Sequence, residues 1–76
     1  MNKARRATLN KIASTIAEAK DGLGMLRDEE QEYMDNMPES LACGEKYSIA
    51  ENAVSNMDDA INSLEEAVSS VEESTQ

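Results

Sequence analysis

Apolar residues recur at alternating spacings of three and four along two tracts of the chain. The first tract breaks this pattern only at Glu30, and its apolar members are Leu9, Ile12, Ile16, Ala19, Leu23, Leu26, Tyr33 and Met37. The second tract has no exception, and its members are Tyr47, Ala50, Val54, Met57, Ile61, Leu64, Val68 and Val71. This is the heptad pattern of helices that pack side by side, with Leu23 and Val54 at a positions and Leu26 and Met57 at d positions. The sequence therefore predicts an all-α protein with helices over about residues 3–36 and 46–73.

The segment between the tracts, about residues 37–46, predicts a short loop. The residue before a proline is pushed out of the helical region, so the first helix should end just before Pro38. Pro38 can begin a short helical turn, and Gly44 is suited to end it in the left-handed conformation. Ser48 and Glu51 match a capping box, although the heptad also allows the second helix to begin at Glu45. Two long helices joined by a short loop predict an antiparallel coiled-coil hairpin in one domain, residues 1–76.

A two-helix hairpin of this size buries little apolar surface, so we expect it to need a partner. Residues 52–58, 59–65 and 66–72 repeat one heptad pattern with an alanine beside the apolar stripe. Further apolar residues lie off the main stripe at Met25, Met34 and Ile49. These features favour the pairing of two hairpins into a four-helix bundle, as a homodimer, or docking on another protein.

Charge is divided unevenly along the 76 residues, which carry 16 acidic and 7 basic side chains and a net charge of −9. Residues 1–27 carry six basic and two acidic side chains, whereas residues 28–76 carry one basic and fourteen acidic. An antiparallel hairpin lays the basic start of the chain along its acidic end. We therefore expect the basic side chains near the start to pair within the molecule rather than to bind nucleic acid; they are Lys3, Arg5, Arg6 and Lys11.

Two oppositely charged pairs predict the register of the hairpin. Lys20 with Glu65 and Arg27 with Asp58 both give residue numbers that sum to 85, as one antiparallel register requires. Small residues are expected to face each other on the opposite edge and to let the helices approach closely. Those pairs are Thr15 with Ala67 and Gly22 with Ala60.

Catalytic and metal chemistry have little basis in this sequence. The absence of histidine removes the imidazole base and the histidine-containing zinc and di-metal motifs. Cys43, the one cysteine, fits a reducing cytosol and is better interpreted as a small apolar loop residue than as a nucleophile. The acidic cluster in residues 28–35 suits a solvated helical face better than a calcium loop. We expect no enzyme activity, no cofactor and no metal, and no apolar run is long enough to span a membrane.

Two features near the loop leave alternatives open. Glu30 occupies an a position, where it either marks register or lies where the helices separate. Tyr33 and Tyr47 either pack together with Met37 and Leu41 to close the hairpin, or present an apolar tip to a partner.

Acidic residues of the second tract recur with the heptad and point to a binding surface. Seven negative charges and no positive one lie in residues 47–76, at Glu51, Asp58, Asp59, Glu65, Glu66, Glu72 and Glu73. Such a row could imitate a phosphate backbone and dock on a basic protein surface. The alternative is that these charges only keep the helix soluble.

Motifs over about residues 25–70 add a resemblance. The successions Arg27 to Glu32, Asn36 to Leu41 and Gly44 to Lys46, followed by Ala- and Glu-rich heptads, resemble a group of small uncharacterised acidic proteins of bacteriophages and mobile elements of Gram-positive gut bacteria. The resemblance transfers no catalytic or ligand residue, but it implies a phage-like context in which such proteins inhibit host defence. The expected function is thus a cytoplasmic inhibitor of the anti-CRISPR type that binds a basic surface of a host nuclease. The alternative is a structural coiled-coil oligomerisation module or a small virion or regulatory component.

Overall fold

A computed structural model describes residues 1–42 and 44–76 of the protein. Helix α1 spans Lys3–Asp35 and helix α2 spans Glu45–Ser74, and these are the only regular elements in the part described. The two helices pack along each other in antiparallel orientation, and the Cα atoms occupy a rod of 60 × 14 × 12 Å. The predicted all-α hairpin is confirmed, and each helix end lies within one residue of its expected position.

Hydrogen bonds at both ends of α1 explain where this helix begins and ends. The backbone N–H of Arg5 donates to Oδ1 of Asn2 at 2.8 Å, which caps the first turn. At the other end the N–H of Asn36 donates to the carbonyl of Glu32 at 3.0 Å. The chain then makes the expected turn at Pro38, whose carbonyl accepts from the N–H of Leu41 at 2.9 Å.

The start of α2 differs from the sequence prediction. Gly44 has φ −87° and ψ 177°, so it is extended rather than left-handed, and it is the residue that precedes the first turn. The N–H of Ser48 donates to the carbonyl of Gly44 at 3.2 Å, which places Ser48 inside the helix. The capping-box assignment to Ser48 and Glu51 is therefore wrong. Helix α2 begins at Glu45, whose carboxylate lies favourably near the positive end of the helix dipole.

The best-packed part of the core lies near the loop. Met34, Ala50 and Val54 form a buried cluster, and the partly buried side chain of Tyr47 packs against it. Ala13 is the other buried residue of the described chain. Along α2 every predicted a and d residue is buried or half-buried, so the contact face of this helix follows the heptad.

Helix α1 presents a different face to α2 from the one predicted. Its d residues are exposed, with Ile12 at 44%, Leu26 at 57% and Tyr33 at 50%. The e residues take their place, because Ala13 and Met34 are buried and Lys20 and Arg27 are half-buried. The contact face of α1 therefore consists of a and e positions.

The core cluster shows the same rotation. Met34, an e residue of α1, packs with Ala50 and Val54 of α2, where the heptad predicts a d residue. The other e residues Lys20 and Arg27 reach carboxylates of α2 from the edge of this contact face.

The rotation corrects two further expectations. Met34 belongs to the core of the hairpin and not to an outer apolar edge. A Cβ atom placed on Gly22 would have no neighbour within 4 Å, and Thr15 is exposed, so neither residue lies closely against α2. Gly22 and Thr15 face outward because the g positions turn away from α2 together with the d positions.

Replacing Gly24 with alanine should stabilise the hairpin. The added Cβ would have no neighbour within 4 Å, so the gain is that of helix propensity, about 0.5–1 kcal/mol, and thermal unfolding followed by circular dichroism should show a rise of several degrees. Gly44→Ala is the control, since its Cβ would lie 3.2 Å from the carbonyl oxygen of Leu41 and should bring no gain. An equal rise for both variants would show that the environments of these glycines differ from those described.

Candidate protein-binding surface

Two ion pairs connect the helices at mid-length. Nε of Arg27 donates to Oδ1 of Asp58 at 2.8 Å, and Nη2 of Arg27 lies 3.5 Å from Oδ2. Nζ of Lys20 lies 3.5 Å from Oε1 of Glu65. The structure thus brings together both pairs that the sequence placed opposite each other.

Arg27 holds a central place in this arrangement. Besides its two contacts with Asp58, its Nη1 lies 3.4 Å from Oδ1 of Asp28 on the same helix. The hydrogen bond to Asp58 raises the pKa of the Arg27 guanidinium, against the opposing effect of partial burial. Arg27 therefore stays charged throughout the neutral range, and the stability that comes from its raised pKa is lost as the pH rises through that pKa.

These ion pairs reduce the acidic surface available to a partner. Asp58 and Glu65 are engaged by α1, and Asp58 is half-buried. The other five predicted binding residues are exposed and form no ion pair with any residue of 1–42 or 44–76; they are Glu51, Asp59, Glu66, Glu72 and Glu73. We call these five residues the acidic face.

Three of the five residues of the acidic face are evenly spaced along α2. Asp59, Glu66 and Glu73 follow one another at seven-residue intervals, which is about 10 Å along a helix that rises 1.5 Å per residue. Beside this row the surface of α2 is shallow and open, and it is lined by Asn62, Glu65, Glu66, Ser69 and Ser70. A partner would therefore find carboxylates at fixed spacing together with short hydroxyl and amide side chains.

The basic start of α1 does not behave as predicted. Lys3, Arg5, Arg6 and Lys11 are exposed, and none of them forms an ion pair within the described chain. Their expected pairing with the acidic end of α2 is wrong. In the observed register, Lys20 and Arg27 are the cations that reach α2, and the four at the start of the helix remain available.

The tyrosines near the loop occupy separate environments. Tyr47 packs on the core cluster, whereas Tyr33 is half exposed and lines a groove of about 320 Å³ with Met37, Pro38 and Leu41. This arrangement agrees with the exposed apolar tip more than with a closed tyrosine pair. Glu30, the polar a residue, is half-buried.

A metal ion needs a close arrangement of ligating side chains. Residues 1–42 and 44–76 contain no group of three cysteine or acidic side chains close enough to hold a metal ion. Cys43 lies outside the described residues. Neither α1 nor α2 has an apolar stretch of the length that crossing a membrane requires.

Exchanging the charges of Arg27 and Asp58 should test the register. Arg27→Asp and Asp58→Arg should each lower the melting temperature by several degrees, because each places like charges together, and the double variant should recover most of the loss. Lys46→Asp is the control and should leave the melting temperature nearly unchanged, since Lys46 is exposed and has no ion-pair partner in the described hairpin. Losses that simply add in the double variant would contradict the contact between Arg27 and Asp58.

Comparison of the chain with protein-family models, with curated proteins and with solved structures finds no match. The function proposed below therefore rests on the charges and exposed side chains of the hairpin.

Proposed function

We propose that this protein is a non-catalytic binding module that docks the acidic face of α2 on a basic surface of another protein. The observation that carries the proposal is the row of exposed carboxylates without ion-pair partners in the described hairpin, repeated with the heptad of a helix whose opposite side is anchored on α1. A rigid row of charges at fixed spacing can match cations at fixed spacing without the entropic cost of ordering a flexible acidic tail.

The charge density of α2 limits what it can imitate. The five carboxylates of the acidic face extend over residues 51–73, about 33 Å of helix, which gives about one charge per 7 Å, compared with about one per 1.7 Å for duplex DNA. The acidic face therefore resembles a few phosphates of one strand rather than a whole duplex. Its binding should depend on particular lysines and arginines in a groove of the partner, with the serine and asparagine side chains beside the row as further contacts.

The resemblance to small phage proteins gives this proposal a narrower form. The partner would be a nucleic-acid-binding defence nuclease in the cytoplasm of a bacterial host, and docking of the acidic face would occupy its nucleic-acid groove. This is inhibition by nucleic-acid mimicry, as in an anti-CRISPR protein. The protein itself would bind no nucleic acid through α2, because its carboxylates repel phosphates.

A second candidate function is a structural module that assembles through apolar contacts. The specific observation that favours it is the exposure of Ile12, Leu26 and Tyr33 on the outer side of α1. In that case the acidic face serves solubility, and its neutralisation would leave activity unchanged.

Neutralising the three evenly spaced carboxylates of the acidic face should abolish the capture of binding partners. We expect a tagged wild-type protein to retain basic nucleic-acid-binding proteins from bacterial lysate at low salt and to lose them at high salt or when a DNA duplex is added. The triple variant Asp59→Asn, Glu66→Gln and Glu73→Gln should capture at least about tenfold less of them, because it removes the three regularly spaced charges.

A matched control removes three negative charges from outside both the acidic face and the segment 28–35. Glu18→Gln, Asp21→Asn and Glu39→Gln neutralises three exposed carboxylates and should leave capture unchanged. Equal losses of capture in the two triple variants would show that the net charge of the protein, and not the position of the carboxylates, determines binding. Capture that resists both salt and DNA would contradict the mimicry mechanism.

A further inference from the structure

The outer side of α1 carries an apolar stripe that the hairpin leaves uncovered. It consists of the d residues Ile12, Ala19, Leu26 and Tyr33, all exposed and each seven residues from the next. The stripe runs about 31 Å along the helix. Isolated exposed apolar residues are ordinary, but four in line on one face indicate a surface that packs against another helix.

We propose that this stripe is the interface between two copies of the chain, which associate through α1 in antiparallel orientation. The stripe lies about a quarter turn around α1 from the middle of the a and e face that contacts α2, at 100° per residue. A helix with two contact faces separated in this way has the geometry of a member of a four-helix bundle, which packs on two neighbours.

Charge complementarity identifies the occupant as a second copy. Residues 3–11 carry four basic and no acidic side chains, whereas residues 28–35 carry five acidic and no basic ones. The basic residues lack ion-pair partners within the described hairpin. Antiparallel pairing of two α1 helices brings the basic end of each copy towards the acidic end of the other, with Lys11 the basic residue that comes level with the acidic segment, whereas parallel pairing would place like charges together.

The stripe is also complementary to itself in size. With the two-fold axis close to Gly22, Ile12 lies beside the partner's Tyr33 and Ala19 beside the partner's Leu26, so a small residue meets a larger one. Lys11 comes within reach of the partner's Glu32 in the same register. Both contacts occur twice, as an isologous interface requires.

Gly22 gains a role in this arrangement. A glycine inside an exposed helix destabilises it, and nothing in the hairpin approaches within 4 Å of the position that its Cβ would occupy. At the two-fold axis the missing side chain lets the two α1 backbones approach closely. This inference does not depend on the proposed function, because the dimer uses α1 and leaves the acidic face of each α2 outward.

Light scattering of two matched variants tests the interface. Leu26 is 57% exposed and lies in the stripe, whereas Ile49 is 61% exposed and lies on α2 away from it. We expect the wild type at micromolar concentration to show twice the 8.3 kDa mass of one chain. Leu26→Gln should raise the dissociation constant at least about tenfold, and Ile49→Gln should leave it unchanged.

Circular dichroism at matched concentration accompanies these measurements, so that any unfolding is recognised. If Leu26→Gln loses helicity and regains it at higher protein concentration, the proposal is supported. A side chain that is exposed in the hairpin can make folding depend on concentration only through association. A single-chain mass for the wild type across the concentration range, or equal behaviour of the two variants, would overturn it.

Charge reversal tests the orientation. Lys11→Glu and Glu32→Lys should each weaken association several-fold, because each places like charges together twice in the dimer. The double variant should recover wild-type association in the antiparallel arrangement, since opposite charges then face each other again across the two copies, with their signs exchanged. If the double variant is no stronger than the single variants, the antiparallel pairing is wrong.

Discussion

The ion pairs of Arg27 with Asp58 and of Lys20 with Glu65 fix the relation between the two helices, and the exposed surfaces of the molecule depend on that relation. In this register the a and d face of α2 lies level with the a and e positions of α1. Two of those e positions carry the cations themselves, which are half-buried and reach carboxylates beside the contact face. The stems of Lys20 and Arg27 thereby cover apolar surface, while their charged groups remain at the edge of the core.

Much of this could be predicted from the sequence, because the informative signals are local. The heptads give the two helices, Pro38 ends α1, and complementary charges give the register. The contact face of α1 could not be obtained in the same way. Ile12, Leu26 and Tyr33 form a column as regular as that of α2, so the heptad predicts that they lie in the contact, whereas the structure has them exposed. The e column also contains apolar residues, Ala13 and Met34, and only the packed structure shows that this column is the buried one.

The candidate site was predictable in part for the same reason. The acidic column of α2 follows from its seven-residue spacing, and its residues occupy the expected side of the helix. Which carboxylates α1 engages, and which cations at the start of α1 remain without partners, depends on how far each side chain reaches across the contact. The backbone conformation of Gly44 could not be predicted either, since glycine accepts both the left-handed and the extended conformation and its position in the sequence does not distinguish them.

The small size of the buried core indicates that the surfaces of the hairpin carry its function. Four side chains are buried in the described chain, so the hairpin is a scaffold for surfaces more than an enclosed domain. One surface is the acidic face of α2, and the other is the apolar stripe of α1 between oppositely charged segments. A bundle that covers the stripes of two chains would supply the missing core and display two acidic faces.

Methyl-selective nuclear Overhauser measurements on the full chain will show whether α1 contacts α2 through its a and e positions. We expect cross-peaks from the Met34 methyl to the methyl groups of Ala50 and Val54, and none from the Leu26 methyls to any residue of α2. Strong cross-peaks from Leu26 to Met57 or Leu64, with Met34 lacking contacts to Ala50 and Val54, would mean that α1 packs through its d positions instead.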